Sequence, residues 1–225
     1  MSRSFIITAG GIGKRMGSHL PKQFIEIAGK PILLHTLEKF YAFDASAQLI
    51  LTLPNEWIPF WKDMLTSHEC TIPHQLVDGG LERYHSIKNA LTICTGDVIA
   101  VHDGVRPLVN NTTIERCLTA LQTFEAAIPV IPLKESLRAI SHHDSKAVNR
   151  ADYCLVQTPQ CFRASVLNKA YNQPFHAGIT DDASLVEEAG FAVHLVDGNE
   201  ENLKITSPND LFVAEAYLNR DKNIA

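Results

Sequence analysis

The chain has 225 residues, 45% of them apolar, with a formal net charge of −5. That length and apolar share suit one large α/β domain with a sizeable core and argue against extended disorder. The acidic balance argues against a general nucleic-acid or anionic-membrane binder, which would present a broad basic surface, so any anion site has to be local.

The chain opens on a short apolar run at residues 5–7, followed by TAGGIGKRMG at 8–17 and PKQF at 21–24. This pattern predicts a strand that runs into a glycine-rich loop. Glycine lacks a Cβ, so Gly10, Gly11 and Gly13 can adopt positive φ and turn successive N–H groups toward one point. Such a donor cluster favours phosphate oxygens, and Arg15 and Lys22 add full positive charge beside it. A glycine cluster alone would be an ordinary tight turn. Four glycines directly after an N-terminal strand, with both cations following, favour a nucleotide phosphate site. The loop is not a P-loop, because Thr8 and Arg15 stand where that motif needs glycine and Ser or Thr. Gly11, Gly13 and Gly17 are also spaced one residue too long for the dinucleotide fingerprint, which counts against hydride transfer.

Helical spacing of Leu33, Leu34, Leu37, Phe40 and Tyr41 predicts a helix after the Gly29-Lys30-Pro31 turn. Residues 48–53 suit a strand buried on both faces. Asn55 is a candidate cap for the next helix, with Trp57, Trp61 and Leu65 on its packing side and Pro59 held to its first turn. Residues 75–77 read as a strand ending at Asp78-Gly79-Gly80, followed by a helix with Ile87, Ala90, Leu91 and Cys94 on one face. Residues 97–101 read as another buried strand, ending in HDGVRP at 102–107. Thr112 and Glu115 form a candidate capping box for the next helix. Pro129 and Pro132 interrupt the strand at 126–133 and suit an edge or a strand end better than a central position.

Residues 134–150 break this alternation and read as a protruding hairpin or a flexible surface loop. Helices are expected around 166–171, after Thr180-Asp181-Asp182, and from Ser207-Pro208-Asn209-Asp210 onward, with closing strands at 192–196 and 203–206. Alternating strands and helices predict a largely parallel sheet flanked by helices, with ligands beyond the carboxyl ends of its strands. No repeat or linker divides the chain, so residues 1–225 read as a single domain. The five cysteines form no C-x-x-C pair and read as reduced thiols. No signal peptide and no run of roughly 18 apolar residues is found, so the expected location is cytoplasmic.

Several single residues admit two readings. Asp103 could bind a metal or a ribose hydroxyl, or cap a turn; Arg106 could hold a phosphate or brace its loop. Asp181-Asp182 fits helix N-terminal charge better than a metal-binding carboxylate pair. His85 and His102 fit structural hydrogen bonding better than general-base work, and His142-His143 lacks a third ligand at zinc spacing. No G-x-S-x-G elbow supports serine-hydrolase chemistry.

Together TAGGIGKRMG with PKQF, DGGLERYHSI at 78–87, HDGVRP, QTPQCF at 157–162, TDDAS at 180–184 and NLKITSPNDL at 202–211 resemble the sugar-phosphate cytidylyltransferases of the nucleotidyltransferase group. They occur in the family's order across nearly the whole chain, and are most similar in members acting on 2-C-methyl-D-erythritol 4-phosphate. The resemblance implies a single-domain, Rossmann-like nucleotidyltransferase fold, a β-hairpin arm at about residues 134–150, and a cytoplasmic homodimer formed through that arm. It implies CTP as co-substrate and Mg²⁺ or another divalent cation, without indicating metal ligands. Arg15, Lys22, Arg150 and Lys204 match the catalytic positions. Ala9, Gly10, Gly11, Gly13, Gly80, Arg83, Ser86 and Asp103 match the nucleotide-binding positions. Arg106, Ser136, Thr158 and Thr180 match further substrate positions, with Ser136 and Arg150 serving the partner subunit's site. Relatives often have Ala-Ala-Gly for Ala9-Gly10-Gly11, HDAARP for HDGVRP and threonine for Ser136; none of these changes removes a charged group. Ribitol 5-phosphate cytidylyltransferases share the opening loop and PKQF and are the main alternative. An NAD-dependent oxidoreductase and a non-catalytic nucleotide-binding regulator are the more distant ones.

Overall fold

A computed structural model describes residues 1–11, 20–142 and 144–222, apart from the side chains of residues 221 and 222. Strand β1 (Arg3–Thr8) lies within the sheet. Its fully buried Phe5 and Ile7 join one hydrophobic core and Ile6 joins the other, as the two-residue period of a strand requires. Burying each such side chain contributes roughly 1.5–3 kcal/mol. The chain continues through the short strands β2 (Glu26–Ile27) and β3 (Lys30–Pro31), α1 (Ile32–Phe43), β4 (Gln48–Leu53), α2 (Ile58–Ser67) and β5 (Gln75–Asp78). It then forms α3 (Arg83–Leu91), β6 (Val98–Asp103) and α4 (Asn111–Ala120).

β4 and β6 pair parallel to β1 on its two sides, and β5 adds beyond β4. The strand order therefore reverses beside β1, the position where open α/β sheets bind ligands. Thr8 lies opposite both Thr52 and Asp103, and Leu53 opposite Asp78, so the strands finish nearly level. This register brings the loops after β1, β5 and β6 together. Helices α1, α2 and α4 supply one core, while α3, α5 (Ala164–Ala170) and α6 (Asp182–Glu188) supply the other.

The remaining strands are β7 (Ala126–Pro132), β8 (Leu137–Ile140), β9 (Ser145–Val148), β10 (Cys154–Val156), β11 (Gln160–Arg163) and β12 (His194–Asp197). β10 and β11 run antiparallel to their neighbours, so the sheet is mixed but largely parallel. β8 and β9 form the expected antiparallel hairpin. The helix α7 (Pro208–Lys222) closes the chain, with Asp210 in its first turn.

Some expectations need correcting. β7 is not an edge strand, because β10 and β11 pair with it along different stretches and β12 also joins it. Its prolines are tolerated because the Pro129 carbonyl accepts from Gln157 N in the gap between the β11 and β10 pairings, where no ladder donor is needed, and Pro132 ends the strand. The α4 cap is Asn110, which accepts from Thr113 N at 2.7 Å, rather than a Thr112–Glu115 box. A 3-10 turn over Asn55–Trp57 precedes α2, and the Asn55 side chain donates to Asp78 instead of capping. Residues 203–206 form no strand; Ile205 N donates to the Val105 carbonyl, and this irregular segment runs past the end of β6.

Candidate active site

Two adjoining clefts open where these loops meet. The first, about 370 Å³, is lined by Ala9, Gly10, Gly11, Lys22, Gly80 and Ser86 on its loop side, and by Arg83, Asp103 and Lys204 at its floor and rim. The second, about 320 Å³, shares Arg83, Asp103 and Lys204 and adds Arg106, Thr158 and Thr180. Nine of the expected nucleotide or catalytic positions and three of the expected substrate positions thus line one continuous concavity.

The described part of the opening loop is built by its anchors. Gln23 Nε2 donates to the Ala9 carbonyl at 2.7 Å, and Phe24 is buried against Trp57, Phe60 and Trp61. Neither Gly10 nor Gly11 has the positive φ expected of it. Among the described residues, a Cβ on Gly11 would meet nothing within 4 Å, and one on Gly10 would reach only Ser86 Oγ at 3.6 Å, in ordinary contact. Gly80 has a stricter reason, since a Cβ there would come 2.2 Å from His85 Cβ; its N–H donates to Ser86 Oγ at 2.9 Å. Gly13 and Arg15 lie outside the described residues, as does His143 of the histidine pair.

Asp103, at the end of β6, is the electrostatic centre. Its Oδ2 receives Arg106 Nε at 3.0 Å and Lys204 Nζ at 3.1 Å, while Arg83 Nε stands 3.7 Å from Oδ1. Burial works to raise its pKa, but Arg83, Lys204 and Arg106 outweigh burial and hold the carboxyl well below the usual carboxylate range. Arg106 is held from its other end by the Asn202 carbonyl, at 2.8 Å. Lys22 Nζ donates to the Ile205 carbonyl at 3.0 Å, so the two lysines approach the cleft from segments that touch each other.

Thr158 enters through the break between β10 and β11, at a cis Thr158–Pro159 bond. Its hydroxyl accepts from Asp103 N at 3.1 Å and lies 3.0 Å from His102 Nδ1, while His102 Nε2 lies 3.0 Å from the Arg106 carbonyl. A carbonyl can only accept, so Nε2 carries the proton and Nδ1 accepts from the threonine hydroxyl. The neutral imidazole satisfies every group in this relay, which supports its expected structural role.

Burial pushes the His102 pKa down to about 4, against an ordinary value of 6.5. The unfolded chain therefore binds the extra proton first as pH falls, and stability drops between those two values. The full loss is on the order of 3 kcal/mol. Denaturant unfolding across that range should show this slope, and His102→Asn should flatten it. An unchanged slope in the variant would remove His102 as its source.

Two expected site residues are not brought to the clefts within one chain. Ser136 is exposed at the root of the arm, and Arg150, in a 3-10 turn at its other root, donates to the Lys134 carbonyl. Asp182, expected only as helix-terminal charge, is fully buried and pairs with Arg83 at 2.7 Å. Asp181 is the cap, its side chain accepting from Ser184 N in a capping box, and Asp182 is the acid of the helix's first turn, as expected. Gln23, Asn202 and Tyr171 were also missed; the first two sit inside quoted motifs, whereas nothing local marks Tyr171. Among the described residues, no three His, Cys, Asp or Glu side chains group as a metal cage, and no helix is long and apolar enough to cross a membrane.

Compared with known proteins, residues 4–220 match the family model described as IspD, 2-C-methyl-D-erythritol 4-phosphate cytidylyltransferase. Over 219 residues the chain is 50% identical to the protein of that name from Bacteroides fragilis, covering 97% of this chain and 100% of the relative. The one from Porphyromonas gingivalis is 42% identical over 219 residues, covering 96% of this chain and 97% of the relative. The crystal structure of 2-C-methyl-D-erythritol 4-phosphate cytidylyltransferase from Thermus thermophilus superposes with a TM-score of 0.81 at 31% identity, covering 97% of this chain and 100% of that one. The 4-diphosphocytidyl-2C-methyl-D-erythritol synthase from Anaerococcus prevotii gives a TM-score of 0.83 at 27% identity, covering 97% and 99%.

Proposed function

The chain belongs to the 2-C-methyl-D-erythritol 4-phosphate cytidylyltransferase family, and we propose that its two clefts divide that family's reaction between them. The enzyme transfers the cytidylyl group of CTP to 2-C-methyl-D-erythritol 4-phosphate, giving 4-diphosphocytidyl-2-C-methyl-D-erythritol and pyrophosphate in the non-mevalonate route to isoprenoids. The first cleft takes CTP and the second the acceptor phosphate. The observation that supports this division is that both clefts share Asp103, Arg83 and Lys204, so one charged cluster borders each of them.

The nucleophile is an oxygen of the acceptor phosphate, which attacks the α-phosphorus of CTP as the bond to pyrophosphate breaks. A phosphate monoester has a second pKa of about 6, so it is already mostly dianionic near neutrality and needs no general base. This fits a His102 held neutral by its burial and its hydrogen bonds. The barrier is the approach of two anions and the charge that develops on the transferring group, so catalysis rests on placement and electrostatics. In this reading Lys22 and Arg15 stabilise the α-phosphoryl charge, and Gly80, Ser86 and Arg83 hold the base side of CTP. Asp103 orders the cations beside the ribose, while Lys204, Arg106, Thr158 and Thr180 receive the acceptor.

A divalent cation would offset the charge of the CTP phosphates, which would supply it with oxygen ligands beside the Asp103 cluster. The whole chain acts as one cytoplasmic catalytic domain. Ser136 and Arg150, remote from the clefts of their own chain, serve the site of a second subunit in an arm-exchanged homodimer.

The test is pyrophosphate release with CTP across a panel of polyol phosphates. Methylerythritol phosphate should give the highest kcat/KM; faster turnover of ribitol 5-phosphate, or CTP binding without pyrophosphate release, would overturn the reading. Arg150→Ala should lower kcat/KM for the acceptor by about 10²-fold or more, as loss of a positioning cation does, and leave CTP affinity unchanged. Mixing it with Lys22→Ala should restore activity that neither variant has alone, because one site of the mixed dimer keeps both residues. Equal loss of CTP and acceptor binding, or no complementation, counts against the exchange.

A further inference from the structure

Arg83, the first residue of α3, lines both clefts and also a third of about 300 Å³ walled by Tyr84, Tyr171 and Phe175; no other described residue lines all three. Its guanidinium has two anionic neighbours at unequal distances. It donates to Asp182 Oδ2 at 2.7 Å, whereas its Nε stands 3.7 Å from Asp103 Oδ1, beyond hydrogen-bond length. The fully buried Asp182 gives its other oxygen to the Tyr171 hydroxyl at 2.5 Å. Tyr171 stacks on Tyr84 at 4.9 Å and 20°, and the Tyr84 hydroxyl donates to the Tyr171 and Gln173 carbonyls. The beginning of α6 and the end of α5 are thus locked to the beginning of α3, and Arg83 is the group they jointly hold.

Helix α6 is capped by Asp181 and Ser184, and although Asp182 adds charge to its first turn, that alone does not explain its complete burial against Arg83 and Tyr171. Without Asp182, the arginine would close onto Asp103, the next carboxylate in reach, in the bidentate geometry that guanidinium favours. It would then compete with Lys204 and Arg106 and spend its donors on Asp103 instead of presenting them to the nucleotide cleft both residues line.

We propose that Asp182 and Tyr171 are positioning residues that hold Arg83 off Asp103 and aim it into the nucleotide cleft, leaving Asp103 free to order Lys204 and Arg106. The proposal rests on the reading of the first cleft as the CTP site.

Its test is a double-mutant cycle on the full chain, read as the CTP dissociation constant together with thermal melting. Asp182→Asn and Arg83→Gln should each weaken CTP about tenfold, the scale of one charge-assisted hydrogen bond, and Tyr171→Phe several-fold less. The pair Asp182→Asn with Arg83→Gln should bind CTP no worse than Arg83→Gln alone, and should melt above it, because a buried carboxylate no longer lacks its cation. A merely structural Asp182 would give losses that multiply. If Asp182→Asn does not fold, the near-isosteric Tyr171→Phe carries the same cycle against Arg83→Gln. Wild-type affinity in the single variants, or multiplying losses, would overturn the proposal alone. A wild-type protein that binds no CTP would overturn the cleft assignment and take the proposal with it.

Discussion

Lys22→Ala should lower turnover by on the order of 10²-fold or more, the usual cost of removing one donor aimed at transition-state charge, while the melting temperature barely moves. The separation is expected because the neighbouring residues anchor this segment. Gln23 anchors that segment to the Ala9 carbonyl, and the buried Phe24 packs into the cluster of Trp57, Phe60 and Trp61. Its amine donates to the Ile205 carbonyl, one residue from Lys204, on the rim of an open cleft that water can enter. Steady-state pyrophosphate release beside a thermal melt separates the outcomes. Wild-type-like turnover would remove Lys22 from the catalytic set, and a collapsed melt would reassign the effect to folding.

The sheet was legible because its signals are local. Residues 48–53 read as a doubly buried strand and are β4 to the residue, and the alternation that predicted a parallel sheet is borne out in β1, β4, β5 and β6. The proline rule holds at Pro132, which ends β7, but the edge reading fails at Pro129 because the rule does not see the neighbour's register. Pro129 is tolerated inside the sheet only because residues 157–159 interrupt the partner strand at that point, and no pattern within residues 126–133 carries that information. The same interruption delivers Thr158 to Asp103. Asn110 outcompeted Thr112 for the α4 cap because the helix begins at Asn111, within the uncertainty of any boundary drawn from pattern alone.

At the site, residues within glycine-rich or charged motifs were found from the sequence, and the supports behind them were not. A buried aspartate beside a capping aspartate looks like helix-end charge until Arg83, nearly a hundred positions away, is seen against it. Gly10 and Gly11 were chosen for a conformational freedom they do not use, since both hold ordinary φ. Among the described residues a Cβ would fit at both, and both line the first cleft, so a clearance reading, room for what that cleft binds, is the alternative to conformational freedom. Both readings choose glycine, so the sequence could not distinguish them.

Asp103→Ala should be the most damaging single change, because that carboxylate directly accepts from Arg106 and Lys204 and its charge also faces Arg83 at 3.7 Å. Removing one partner of a buried ion pair costs about 3–5 kcal/mol; the loss here should be nearer 2–3 kcal/mol, since Lys204 is half-exposed and can relax into solvent. Arg83 keeps Asp182 and Arg106 keeps the Asn202 carbonyl, so the fold should survive. Asp103→Asn isolates the charge from the shape. With the internal anion gone, the cations are free for external ones, so pyrophosphate should inhibit this variant about tenfold more strongly, an advantage that fades with salt, while turnover falls. Weaker pyrophosphate inhibition would mean that Asp103 holds the cations in place rather than competing for them. Because its neighbours keep Asp103 ionised far into acid, a fall in kcat/KM beginning near pH 6 cannot come from protonating it. That limb belongs to the acceptor phosphate, whose second pKa is about 6, and should persist unchanged in Asp103→Asn.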